Sequence, residues 1–213
     1  MDGGRVESIV KVNLFSNRVC HFRIIHLAVI VLIVLAWNSR AFCDEIRDAA
    51  KSGDLAKVQA LIKENPELVN SKDTNGVSPL FCAVFSGHTN IANFLVANKA
   101  DINAKITIGG NMDLTPLDEA AFIGDRNAAE WLIAHKADVN ATNNFGATPL
   151  YFAAVNLHKE IVQLLLENKA NVNAKECRGF TPLHMMVGQG YNPASAKLYG
   201  EIADLLRQHG GHE

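Results

Sequence analysis

Cysteine is scarce in this chain, and so is any excess of basic charge. The sequence has four cysteines in 213 residues, and only Cys82 and Cys177 lie beyond residue 43. A disulfide needs Cα atoms within about 7 Å. These two lie almost three repeats apart, so a bridge between them is not expected. Cys82, beside Ala83, reads as a small core residue of a helix. Cys177 falls in a loop and reads as an ordinary loop residue, with a free thiol as the alternative. Of the 20 Lys/Arg and 22 Asp/Glu, five and two fall in residues 1 to 43, leaving 15 against 20 and a net charge of −5 beyond them. Sequence-independent nucleic-acid binding needs clustered basic charge, and this balance argues against it.

Catalytic and cofactor signatures are missing too. Asp118 and Glu119 are neighbours in a helical stretch, so they point in different directions and do not form an acid/base pair. Gly109-Gly110 lacks the lysine and the helix start of a phosphate loop. No serine occupies a nucleophile elbow. The histidines show no metal-ligand spacing. His135 precedes Lys136 at a helix end, where positive charge is mildly favourable. His209 and His212 flank Gly210-Gly211 in a solvated tail. The expectation is a protein that is not an enzyme and carries no cofactor or metal.

One long apolar run is present, near the amino end. Arg5, Lys11, Arg18 and Arg23 precede Ile24 to Trp37, a stretch of 14 residues. As a helix this is about 21 Å long, short of a bilayer core of about 30 Å. It suits the apolar region of a signal peptide, and Ala41 and Cys43 suit a cleavage site before Asp44. Retention of the run as a signal anchor is one alternative, and a true start nearer Ile24 is another. Basic charge ahead of the run holds the amino end inside and exports the remainder of the chain. Residues 1–43 are thus expected to be a signal peptide or signal anchor, with residues 44–213 periplasmic, secreted or membrane-anchored outside the cytoplasm.

The rest of the chain is periodic. Ser78-Pro79-Leu80-Phe81, Thr115-Pro116-Leu117-Asp118, Thr148-Pro149-Leu150-Tyr151 and Thr181-Pro182-Leu183-His184 begin 37, 33 and 33 residues apart. Such a period means stacked repeats. It divides the chain into five units, at about 44–72, 73–105, 106–142, 143–175 and 176–213. Each reads as loop, short helix, turn, longer helix, loop. The hydroxyl of Ser78, Thr115, Thr148 or Thr181 caps the short helix and proline takes its first position. Gly87, Gly124 and Gly190 end it, with Leu157 in that place in the fourth unit. Ile91, Phe94, Leu95, Trp131, Leu132, Ile161, Leu164 and Leu165 give the longer helices an apolar stripe. The chain then turns through Ala100-Asp101-Ile102-Asn103, Ala137-Asp138-Val139-Asn140 and Ala170-Asn171-Val172-Asn173, whose Ile102, Val139 and Val172 are expected to be buried. Pro66 stops the second helix of the first unit.

These residues, in register over 44–213, resemble the ankyrin repeat. The resemblance implies an all-α solenoid of about five helix-turn-helix units with projecting hairpin loops. It also implies protein recognition through the hairpin tips and the short-helix face. His88 and His158 stand where members of the family often carry histidine for turn structure. Lys99, Lys136 and Lys169 replace the usual glycine before the alanine of the turn, and Gly210 keeps it. In a left-handed conformation each lysine costs about 1 kcal/mol relative to glycine. Phe81, Asp118 and Tyr151 replace the histidine that His184 retains. Four extra residues lengthen the loop Lys105–Leu114, and about eight lengthen the turn Gly190–Gly200.

Projecting the repeat onto this geometry places an apolar row on the concave surface. The short helices contribute Phe85, Phe122, Ile123 and Val155, and the hairpin tips Asn75, Val77, Met112, Leu114, Phe145, Arg178 and Phe180. A contiguous apolar patch with aromatics marks an interaction site. These residues are expected to bind a protein partner, with the chain a monomer, no nucleic acid involved, and membrane association only if residues 24–37 persist as an anchor.

Overall fold

The computed structural model describes residues 43–109, 112–186 and 195–212. All but the last residue of the signal or anchor segment therefore lies outside the described residues, as do Gly110, Asn111 and the inserted Tyr191-Asn192-Pro193. The repeats lie in one compact unit, Ile46–Glu213. No helix among the described residues is long and apolar enough to cross a membrane.

Helices alternate short and long. Residues 43–52 are helical (α1) and are followed by α2 (Leu55–Glu64) and a 3-10 turn at Pro66–Asn70. The pairs α3/α4 (Pro79–Phe85, Thr89–Ala97), α5/α6 (Pro116–Ile123, Arg126–Ala134), α7/α8 (Pro149–Val155, Lys159–Glu167) and α9/α10 (Pro182–Met186, Ala196–Gln208) come next. Short helix packs on short helix, as α5 on α7 and α7 on α9, and long on long, as α6 on α8 and α8 on α10. The core runs between the two layers. Leu80, Leu117, Leu150 and Leu183 form one buried row, and Ile91, Leu95, Leu132, Ile161, Leu165, Ile202 and Leu206 the other. Each such side chain contributes about 1.5–3 kcal/mol by leaving water.

The caps explain why the short helices start where they do. The backbone N–H groups of Phe81, Asp118, Tyr151 and His184 donate to the hydroxyls of Ser78, Thr115, Thr148 and Thr181 at 3.1–3.3 Å. Proline comes after each cap, where a missing N–H loses no hydrogen bond.

Asparagines tie each unit to the next. Asn70, Asn103, Asn140 and Asn173 accept from the backbone N–H of Asp101, Asp138, Asn171 and His212 at 2.7–3.0 Å. Asn70, Asn140 and Asn173 also donate to the carbonyls of Lys99, Lys169 and Gly210. The carbonyl of each of these left-handed residues is thereby fixed by the preceding unit. Lys99, Lys136, Lys169 and Leu157 all hold positive φ, from 62° to 73°. The expected strain is present, and the ladder holds Lys99 and Lys169 directly, while in the third unit it grips Asp138, two residues after Lys136.

Three sequence expectations need correcting. The lengthened loop is a β-hairpin, β1 (Ile106–Ile108) against β2 (Met112–Leu114), so the unit is not purely helical. The alternation of Ile106, Ile108, Met112 and Leu114 is a strand pattern. Part of the lengthened turn before Gly200 belongs to α10, which runs to 13 residues. Finally, Ile102, Val139 and Val172 are only half-buried.

Candidate protein interface

The hairpin tips are built by one device. A side chain at the base of the loop accepts two backbone N–H groups and closes the turn. Asp73 accepts from Asn75 and Val77, Asn143 from Phe145 and Ala147, and Glu176 from Arg178 and Phe180. Neighbouring tips are then stitched together. Thr107 N–H donates to the Asn75 carbonyl and Cys177 N–H to the Phe145 carbonyl, both at 2.7 Å. The stitching fixes side chains from different units against one another.

Phe122, Ile123, Phe145 and Val155 are the exposed large hydrophobic residues among those described, at 36–50% of their full exposure. All four belong to the expected row. Phe122 meets Phe152 edge-on, with ring centroids 6.2 Å apart, and Phe152 meets Tyr151 in the same way at 5.9 Å. Phe152 is nearly buried and opens into a groove of about 380 Å³. Its walls are Met112, Asn143, Phe145, Ala147, Tyr151, Phe152, Glu176, Cys177 and Arg178. Three units contribute to it.

The other expected residues fall in several places. Asn75 is exposed and Val77 half-buried at the second unit's tip. Phe85 is half-buried against Phe81, centroid to centroid 4.4 Å, and lines a separate cleft of about 280 Å³ with Trp131. Phe180 stacks flat on His184 at 4.4 Å and carries the Arg178 guanidinium 5.2 Å above its ring. Leu114 is wholly buried and leaves the surface set. It closes the new hairpin onto α5, so its apolar character belongs to the core.

The charged groups at the groove are unequal. Glu176 is 5% exposed at its side chain, whereas Arg178 is 61% exposed, and they pair at 3.3 Å. Burial pushes the Glu176 carboxyl up, but hydrogen bonds from Phe180 and Arg178 outweigh it and hold the group below the usual carboxylate range. Tyr151 is pushed up by burial and by the Glu176 charge.

A family model described as ankyrin repeats (3 copies) matches residues 46–106 and 117–210. The chain belongs to the ankyrin repeat family. The interval between the two matches, 107–116, contains most of the β-hairpin, the feature in which this ankyrin stack departs from the common unit. Ankyrin repeats are in general protein–protein interaction modules and are typically non-catalytic.

Sequence reasoning missed Tyr151, Phe152, Glu176 and Cys177 as groove residues. Tyr151 carried a signal, since it replaces the histidine that His184 retains. Phe152 and Glu176 carried none, because the groove exists only once the fourth and fifth tips are stitched together. The ankyrin histidines act between units. His158 Nε2 donates to the Phe122 carbonyl at 3.1 Å, and His88 Nε2 to that of Lys51. His158 thereby fixes the backbone of the exposed Phe122.

Proposed function

We propose that this protein binds a protein partner, without catalysis, through the face formed by Phe122, Ile123, Val155 and the groove behind Phe145. The observation carrying this reading is that Phe122 and Val155, one repeat apart, both stay exposed on neighbouring short helices, and that exposed Phe145 lines the groove into which Phe152, the edge-on partner of Phe122, opens. A contiguous apolar patch with aromatic side chains left in water marks an interaction site. We propose further that residues 1–43 export the repeats, as a cleaved signal or an anchor, and that the repeat domain acts as a monomer.

The test replaces Phe122, Phe145 and Val155 together with serine. Exposed positions of this kind change stability by little, so the thermal midpoint should stay within a few degrees. Affinity capture from native membrane and periplasmic fractions should then lose the proteins that the wild type retains. Equal capture by a folded variant contradicts the assignment. Mass spectrometry of the mature amino terminus tests the export reading: a start at Asp44 supports a cleaved signal, and an intact Met1 supports an anchor.

A further inference from the structure

We propose that the groove between the fourth and fifth tips takes an extended peptide segment in which an apolar side chain neighbours a carboxylate. The apolar side chain seats against Phe145, Tyr151 and Phe152, and the carboxylate pairs with Arg178. This rests on the reading that the face binds proteins, and names the chemistry it selects.

The groove has a chemical direction. Its wall is apolar at Met112, Phe145 and Phe152, and its charged lining, Glu176 and Arg178, comes from the fifth unit alone. These two do not cancel toward solvent. The Glu176 carboxylate is turned into the protein, and both its oxygens are occupied. Oε1 accepts from the N–H of Arg178 and of Phe180, and Oε2 from Arg178 Nε and the Cys177 thiol. A carboxylate so buried and saturated offers nothing to a cationic ligand. Arg178 uses its Nε edge on Glu176, also shares a side-chain hydrogen bond with Tyr151, and still leaves most of its side chain at the surface. The positive end of the pair therefore faces the incoming partner.

The guanidinium is also held in place before binding. Phe180 lies beneath it, itself stacked on His184 with ring planes 4° apart. Arginine fixed in this way loses little freedom when it pairs, and its planar fork fits a carboxylate. The apolar wall excludes water from one side of that pair, which strengthens it relative to an open surface. A lone arginine beside an apolar wall does not match a nucleic-acid backbone, which needs a run of cations.

The experiment pans a random peptide display library on the full chain and on Arg178→Glu. The wild type is expected to enrich peptides with an aromatic or branched aliphatic residue within two positions of Asp, Glu or a terminal carboxylate. Arg178→Glu is expected to lose that acidic preference or exchange it for Lys/Arg. For one enriched peptide, Asp→Asn or Glu→Gln in the peptide should weaken binding about tenfold or more, the scale of a charge-assisted hydrogen bond. That arm leaves the protein unchanged, so it decides the matter even if an Arg178 variant folds poorly. Apolar peptides without acidic preference, or acid-dependent binding indifferent to Arg178→Gln, overturn this inference alone. Failure to enrich any peptide whose binding Phe145→Ser weakens overturns the reading of the face as well.

Discussion

Asp118 has lost its water without gaining a full set of partners. Its Oδ2 accepts from the N–H and the hydroxyl of Thr115, both at 2.8 Å, completing a capping box. Its Oδ1 is buried with no hydrogen bond. Burial drives its pKa from 3.8 to about 7, against the Thr115 hydrogen bonds and the Lys105 charge and with help from Asp138. Between those values the folded chain holds a proton that the unfolded chain has released. The contribution of this group to stability is therefore complete below about 3.8 and is lost as pH rises through about 7. The shift corresponds to something on the order of 4 kcal/mol. Denaturant unfolding between pH 4.5 and 8 should show stability falling with pH, and Asp118→Asn should flatten most of that slope. A shallower remainder belongs to Glu119, whose pKa burial also raises. An unchanged slope in the variant contradicts the assignment. A second residue-scale contrast concerns two turn glycines. Gly124 and Gly87 both hold positive φ, at 84° and 74°. A Cβ on Gly124 meets the His158 ring at 2.6 Å, whereas one on Gly87 meets nothing. The reason lies in the next unit, which has histidine in one case and Asp125 in the other. Both alanine variants lose about 1 kcal/mol to the left-handed backbone. Gly124→Ala should cost more, and equal melting points would contradict the packing role of His158.

At the scale of elements, the β-hairpin 106–114 separates core from surface. Leu114 is wholly buried while Phe145, on the next tip, is 41% exposed. Leu114→Ala should destabilise the fold by about 2–5 kcal/mol. Phe145→Ala should change stability by about 0.5 kcal/mol or less. Equilibrium unfolding of the two variants checks this, and a stable Leu114→Ala would contradict the hairpin packing. The same contrast shows what could be read in advance. The helix starts were legible because serine or threonine, proline and leucine each have one physical role there, repeated in register. The hairpin was not, because its alternation was judged by repeat phase, in which Leu114 aligns with Val77 and Phe180. A four-residue insertion changes the local geometry, so phase no longer reports exposure.

At the scale of the whole molecule, the stack turns a local repeat into a long-range arrangement. The asparagine ladder links the units across each boundary described, and the tip-to-tip hydrogen bonds carry the order to the surface. The shared exposure of Phe122 and Val155 was legible from the period because side chains in phase share a face. The groove was not legible, because Met112, Tyr151 and Glu176 come from three units and meet only after stacking. Binding at this face is the central claim, and site-specific photocrosslinking in producing cells tests it most directly. p-Benzoylphenylalanine replaces Phe122 or Phe145 in one set, and the exposed Gln163 of α8, in the other helical layer, in the control. The expected result is a discrete crosslinked protein at Phe122 and Phe145 and none at Gln163. Crosslinking at Gln163 with none at the two phenylalanine positions would contradict the assignment.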